Sequence, residues 1–193
     1  ETGVTILKGA PHDKKRLLAL TKQLMDMDIF GEREIDGLIT TIDEEEITHL
    51  PKSSRQAQMK KSDKPTDGAW NLRVKRTYKG YDCLSGIIVR MDIQTGAITN
   101  ISHTPFVAPK SLNVNITPEK AVEIVTERAK ALGYNVEQYE IEQLIIPYDL
   151  KRLAKESELC WRVTFDKELG EGHAHRFVAS VSCETGKIVA EWY

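Results

Sequence analysis

Two histidines near the carboxyl end of the chain are the residues best placed to hold a metal ion. His173 and His175 lie two positions apart in strand-like sequence, so both imidazoles share one face with Glu171. The same phase continues into Phe177 and Val181, which are core residues by their alternation. We therefore favour a structural pair at the rim of a hairpin, and the sequence predicts no metal site and no cofactor.

The three cysteines show neither redox nor zinc spacing. Cys83, Cys160 and Cys183 form no Cys-x-x-Cys pair and have no histidine at zinc-finger distance. Cys183 falls in an apolar strand phase and is expected in the core. A Cys83–Cys160 disulfide stays open, since it requires the two halves of the chain to pack closely.

Other candidate sites have simpler interpretations. Glu44, Glu45 and Glu46 lack the ligand order and glycine turn of a calcium loop, so a solvated charge run is favoured. Trp70 and Trp161 could form a carbohydrate or peptide platform, but their apolar strand phase favours the core. The phosphate-loop, dinucleotide-binding, nucleophile-elbow and zinc-peptidase motifs are missing from the sequence. We therefore predict no catalytic residues and no enzymatic activity.

Composition narrows the class of protein. The 193 residues are 40% hydrophobic and 29% charged, as in an ordinary globular chain. The net charge is −2, from 27 basic and 29 acidic side chains, which argues against nucleic acid as a partner. No apolar run approaches the roughly 18 residues of a membrane span. We expect the fragment to be soluble, and whether its parent protein has a membrane anchor stays open.

An internal repeat organises the elements that would position any site. Thr95-Gly96 and Thr185-Gly186 follow matching apolar alternations at an offset of 90, and Trp70 and Trp161 match at an offset of 91. Each Thr-Gly pair predicts a tight hairpin turn, with glycine supplying a positive φ.

A helix signal precedes each set of strands. Thr117-Pro118-Glu119 offers a cap, a first-turn proline and an acid at the helix start, while Asp13 is the candidate cap of the first copy. A further strand follows each helix, at about Glu34–Ile42 and Glu137–Ile146. The predicted fold class is α+β, with two repeated units that each pack a helix on an antiparallel four-stranded β-meander sheet.

The expected boundaries follow from this repeat. Glu1-Thr2-Gly3 resembles the remnant that signal cleavage leaves, so a divergent first unit is predicted over 4–103. The second unit spans 116–193, after a linker at 104–115. An insertion of about 15 residues is expected within 43–68 of the first unit, because Leu38 and Trp70 are 32 positions apart and their counterparts Leu144 and Trp161 are 17 apart. Loops of this length are usually functional or disordered. We regard the insertion as the best candidate for specific contacts, with a mobile loop that has no partner as the alternative.

Three segments of the second unit resemble the PepSY domain, which is known from propeptides of thermolysin-like metallopeptidases and from a spore-germination protein. They are Ile116-Thr117-Pro118-Glu119-Lys120-Ala121, Trp161-Arg162-Val163-Thr164-Phe165, and Ser182-Cys183-Glu184-Thr185-Gly186-Lys187-Ile188-Val189. Residues 11–101 resemble it more weakly, best over Asp92-Ile93-Gln94-Thr95-Gly96-Ala97-Ile98.

The resemblance implies a non-catalytic, protein-binding domain outside the cytoplasm that restrains a peptidase or other cell-wall hydrolase. A tandem PepSY protein of this kind, secreted or in the cell envelope and acting as a protease inhibitor, is the first hypothesis. Two alternatives remain: a propeptide-like folding aid of a metallopeptidase, and a small-ligand or metal sensor using His173 and His175. The sequons at Asn100 and Asn115 are both expected in loops, and they change the expected compartment little. The resemblance transfers no binding residue, because the matched positions build the fold.

Overall fold

The computed structural model describes residues 13–51, 68–84, 86–147, 156–169 and 173–192. Within them the fold is α+β, with two α-helices and a ten-stranded, mostly antiparallel sheet. The chain divides into two units. Unit 1 comprises the described parts of Glu1–Ile35, Thr40–Lys75 and Gly86–His103, and unit 2 those of Asp36–Ile39, Arg76–Ser85 and Thr104–Tyr193.

Unit 1 packs one helix on antiparallel strands. Helix α1 begins after Asp13, whose Oδ1 accepts the Arg16 N–H at 3.0 Å. Leu17 on this helix joins the apolar face of the strands in one buried cluster. The strands pair in the order β2-β3-β5-β6. The elements are α1 (Lys14–Asp26), β1 (Leu38–Thr41), a 3-10 helix (Glu44–Glu46), β2 (Ile47–Leu50), β3 (Ala69–Tyr78), β5 (Ile87–Asp92) and β6 (Ile98–His103), with β1 and the last residues of β3 extending into unit 2.

Unit 2 also packs one helix on antiparallel strands. Helix α2 starts at Pro118 because Thr117 caps it, accepting the Lys120 N–H at 3.3 Å, and the chain turns away at Gly133 with φ +79°. Strands β7, β8, β9 and β10 are consecutive antiparallel neighbours, and β4 pairs with β7 in parallel. The elements are β4 (Tyr81–Cys83), α2 (Pro118–Ala131), β7 (Tyr139–Pro147), β8 (Ser157–Leu169), β9 (His173–Ser182) and β10 (Ile188–Trp192).

The central hairpins of the two units have the same register. In unit 1, Trp70, Leu72 and Val74 lie opposite Met91, Val89 and Ile87. In unit 2, Trp161, Val163 and Phe165 lie opposite Val181, Ala179 and Phe177. The side chains at these positions contribute to the core cluster of their own unit.

The turn after each hairpin is also alike. The Gly96 N–H donates to the Asp92 carbonyl at 2.9 Å, and the Gly186 N–H donates to the Ser182 carbonyl at 3.0 Å. Both glycines have a positive φ, +65° and +73°, as the tight turn predicts. The register then shifts by one residue just past the turn in both units.

The expected strands are present with different bounds. The strand predicted over Glu34–Ile42 is the shorter β1, and the register makes β2 rather than β1 the counterpart of β7: Ile47 lies opposite Leu72 as Ile141 lies opposite Val163. Of the predicted insertion within 43–68, the structure describes 43–51 and Gly68, which include the 3-10 helix and β2.

The stretch 104–115, predicted as a linker, contains no helix or strand and is bonded to unit 2. Arg76 is only 2% exposed and donates from Nη1 to the Thr104 carbonyl at 2.7 Å. The Ser157 hydroxyl donates to the Val107 carbonyl, and the Asn115 N–H to the Cys183 carbonyl at 2.9 Å. These bonds satisfy backbone groups that an irregular segment would otherwise leave unpaired.

A buried hydroxyl without a partner gives the first prediction. The Oγ1 of Thr21 on α1 is buried and has no hydrogen-bond partner among the residues that the structure describes. Val125 is the buried residue at the same distance from the α2 cap. Replacing Thr21 by Val removes the desolvation cost of that hydroxyl, so we expect the free energy of unfolding to rise by about 1 kcal/mol. Val125→Thr is the matched control and should lower it by about 1–3 kcal/mol. Urea unfolding followed by circular dichroism measures both, and a less stable Thr21→Val would contradict this account.

The second prediction concerns the turn at Gly186 in unit 2. Gly186 has φ +73°, and a Cβ built there lies 3.2 Å from the Ile116 Cδ1. Gly186→Ala should therefore lower the free energy of unfolding by at least the roughly 1–2 kcal/mol of left-handed strain. Gly80→Ala is the control, because Gly80 has φ +89° with no atom within 4 Å of an added Cβ. Equal losses in the two variants would mean that the contact with Ile116 contributes nothing.

Candidate interaction surface

Open strand edges are the surface features of this fold best suited to bind another chain. Besides the four-residue β1, which pairs with β3, the strands β2 and β6 of unit 1 and β10 of unit 2 are each paired with one described strand only. An edge strand presents unpaired N–H and C=O groups that an extended segment can complete.

The three edges differ in how they are protected. Strand β2 is only four residues long. The end of β6 is covered by the loop after α1, because His103 Nε2 lies 2.9 Å from Glu32 Oε1 and the Phe30 ring packs 4.4 Å from the imidazole. Short length and covering loops are the usual means of protecting an edge.

A depression follows strand β10. It is bordered by Arg128 of α2 and by the four consecutive residues Ile188, Val189, Ala190 and Glu191, with a volume of about 310 Å³. Successive side chains of a strand point to opposite faces, so a depression that touches four in a row runs along the strand's edge.

An ion pair holds helix α2 against this strand. Arg128 Nε lies 2.8 Å from Glu191 Oε2, and its Nη2 lies 2.8 Å from Glu191 Oε1. Two parallel bonds from one guanidinium restrict both side chains more than a single contact does. Since Arg128 lies in the last turn of α2, its positive charge also interacts favourably with the negative end of the helix dipole.

A second depression, of about 120 Å³, lies on unit 2 beside the start of β8. Lys110 Nζ donates to Glu156 Oε1 at 2.8 Å across its mouth. That hydrogen bond, and then the lysine charge, lower the pKa of Glu156, and the same contact raises the pKa of Lys110. Both side chains are mostly exposed, so solvent screens the pair and it contributes little to stability.

The two histidines considered as metal ligands lie on the same strand. His173 and His175 both lie on β9, where His175 is exposed and its backbone lies opposite Lys167. Glu171 lies outside the described residues. In the described part of the chain, no group of three or more His, Cys, Asp or Glu side chains is suited to hold a metal ion.

All three cysteines are buried thiols. Cys83 and Cys160 flank strand β7, since Cys83 lies opposite Ile145 and Cys160 lies opposite Leu144. Two strand spacings separate their backbones by about 9–10 Å. This is too far for a disulfide, which needs Cα atoms within about 7 Å.

Burial makes two of these thiols hard to ionise. Burial raises the pKa of Cys160 far above its ordinary value, and the charges of Cys183 and Glu158 raise it further. Burial also raises the pKa of Cys183, against a weak opposing hydrogen bond from the Gln143 amide at 3.5 Å. Reactive cysteines have lowered pKa values, so neither thiol has the character of a nucleophile.

The remaining candidates are structural in this fold. Trp70 is buried in the core of unit 1, and Trp161 packs against the core of unit 2 with its indole N–H donating to the Ile116 carbonyl at 2.7 Å. The core interpretation of the tryptophans is thus confirmed. Glu44 and Glu45 are exposed in the 3-10 helix, and Glu46 forms an ion pair with Lys75 at 2.6 Å.

The two sequons have different surroundings. Asn100 is exposed on β6, in a strand rather than the expected loop. Asn115 is exposed just before α2, where its side-chain amide donates to the Glu184 carbonyl at 3.2 Å.

Sequence reasoning did not identify the β10 depression or the Arg128–Glu191 pair. Helical periodicity places Arg128 on the polar side of α2, and alternation places Glu191 on a face of β10. Neither pattern says that the two residues meet, because 63 positions separate them.

No helix among the described residues is long and apolar enough to cross a membrane. The chain matches no model of a known protein family, and no curated protein sequence matches it.

The raised pKa of Cys160 predicts how stability depends on pH. Below about pH 8.5 the thiol is protonated in both the folded and the unfolded chain. At higher pH the unfolded chain loses this proton while the folded chain retains it, so the native state loses stability. The stability advantage of the wild type over Cys160→Ala should therefore shrink by up to about 1.4 kcal/mol per pH unit above that point.

Urea unfolding of both proteins at pH 7, 8, 9 and 10 measures this difference. The values at pH 7 and 8 act as the internal control, since they should nearly agree. A difference that stays constant up to pH 10 would mean that the thiol ionises as readily in the folded protein as in the unfolded chain.

Proposed function

We propose that this chain is a non-catalytic tandem PepSY module outside the cytoplasm that binds and restrains a peptidase or cell-wall hydrolase. The observation that supports it best is the agreement of the β3–β5 and β8–β9 ladders in register, and of the Thr-Gly turn and register shift that follow each of them. The segments that resemble PepSY include the Thr-Gly turn.

A duplication of one helix-and-sheet unit is the organisation we infer. Unit 1 has an antiparallel β2-β3-β5-β6 order under α1, and unit 2 has β7-β8-β9-β10 under α2. Asp13 and Thr117 cap the two helices, and the buried residues come four and eight positions after each cap: Leu17 and Thr21 in α1, Ala121 and Val125 in α2. A shared ancestor accounts for this agreement more simply than convergence does.

Occlusion of the partner's cleft is the proposed mechanism. A peptidase holds its substrate extended in a cleft, and an open strand edge matches an extended backbone in hydrogen-bonding pattern. An inhibitor of this kind needs no catalytic group, which agrees with a sequence in which no catalytic motif was found.

The test starts from capture and ends in kinetics. The protein serves as bait in secreted and envelope extracts of its source cell, and mass spectrometry identifies what is retained. We expect a peptidase or wall hydrolase to be enriched and its activity to fall in proportion to added protein up to one equivalent. Bovine serum albumin at equal mass is the control.

The other outcomes contradict the proposal in different ways. Full hydrolase activity in the presence of a stoichiometric excess would rule out restraint. A higher refolding yield of the hydrolase without inhibition would instead favour a propeptide-like folding aid. Detection of the protein in the cytoplasmic fraction alone would contradict the proposed location.

A further inference from the structure

We infer that the open edge of β10 is where this module binds, and that the ligand is an uncharged, largely apolar peptide segment that adds as a strand beside it. This inference rests on the proposed function, because it specifies which surface of the module contacts the partner. It is drawn from the backbone of β10, the depression beside it and the side chains at its two ends.

The backbone of β10 has hydrogen-bonding groups available on its outer side. The Ser182 N–H donates to the Lys187 carbonyl at 2.9 Å, so Ser182 directs its groups toward β10. Ser180, two residues away, does the same and lies opposite Ala190. Ala190 therefore faces β9, and the next residue, Glu191, directs its N–H and C=O away from the sheet.

The depression along this edge has room for a second backbone. Its volume of about 310 Å³ lies at the lower end of the range for sites that bind small ligands. A peptide lying there would run along the edge of β10 and pass the last turn of α2, where Arg128 lies. An extended backbone is the ligand whose donors and acceptors match such an edge.

The charged residues that line the depression favour an uncharged peptide segment. Its one cation, Arg128, and its one anion, Glu191, are bonded to each other at 2.8 Å. A charged peptide side chain would have to break that pair or lie beside it without compensation, which costs free energy. The other lining residues, Ile188, Val189 and Ala190, are apolar.

Exposed apolar side chains lie at both ends of the strand. Ile188 is 38% exposed and Trp192 is 37% exposed. The register places Ile188 opposite Val181, on the helix side of the sheet, and Trp192 opposite Val178, on the other side. An added strand with apolar residues on both faces would cover the two side chains together, and alternate pockets of this kind give strand addition its specificity.

A linear dodecapeptide library displayed on phage is the probe. Peptides enriched on the full chain are synthesised, and their affinities are measured by fluorescence polarisation for the wild type, Ile188→Lys and Ile101→Lys. Ile101 is the matched control, because it is an exposed apolar residue of comparable exposure, 39%, on the edge strand β6.

We expect neutral, apolar-rich peptides that bind Ile188→Lys at least about tenfold more weakly, since a charge on an edge strand blocks pairing. Ile101→Lys should bind them as the wild type does. Hydrogen exchange at the Glu191 amide should slow when peptide is bound. Trp192→Lys provides a second variant if Ile188→Lys fails to fold by circular dichroism.

Three results would overturn the inference: no enriched peptide, equal affinity for the wild type and both β10 variants, or the same loss with Ile101→Lys. Its failure is distinguishable from failure of the proposed function. A captured hydrolase that is inhibited equally by wild type and Ile188→Lys leaves the function standing and removes the β10 site. If peptides bind at β10 but no hydrolase is captured, the β10 site stands and the proposed function fails.

Discussion

The register of the hairpin in each unit is the constraint on which the rest of the fold depends. Because side chains alternate along a strand, a one-residue slip of β8 against β9 would turn Val163 and Phe165 away from helix α2. Burying a side chain of this kind contributes roughly 1.5–3 kcal/mol, so the slip would remove a large part of the roughly 5–15 kcal/mol by which a small domain is stable. The turn at Thr185-Gly186 fixes the next pairing, since its bonds and positive φ set where β9 and β10 meet.

The same geometry explains why binding is assigned to an edge. Helix α2 covers one face of the β7–β10 sheet, and among the described strands β10 is paired with β9 alone. The Arg128–Glu191 pair then holds helix and strand together and leaves a depression between them. In unit 1 the corresponding edge, β6, is partly closed by Phe30 and Glu32 against His103. Two units of similar internal design thus differ in what their edges can offer.

The cysteines and tryptophans, whose side chains could support chemistry or binding, serve packing in this fold. Cysteine and tryptophan can act as nucleophiles or platforms in other settings, but here burial decides their role. Cys160 is enclosed on the strand next to β7, where a thiolate would be poorly solvated. Trp161 gives its one donor to the Ile116 carbonyl and so joins the loop before α2 to the sheet.

Much of the local structure could be predicted from the sequence, because local signals act over a few residues. The Asp13 and Thr117 caps, the alternation around Trp70 and Trp161 and the Thr-Gly turns all required only neighbouring residues. The bounds of β1 and the role of β2 were harder, since a four-residue strand carries too little pattern to distinguish it from its neighbours.

Tertiary structure alone decided which distant groups meet. Arg76 reaches the Thr104 carbonyl, β4 pairs with β7 in parallel, and Arg128 reaches Glu191 across 63 positions. These contacts depend on how helices and strands are placed in space, and periodicity within one element contains no information about its partner in another. The sequence by itself therefore determined the helix caps and the turns, while the packing of α2 on its sheet decided where the depression beside β10 lies.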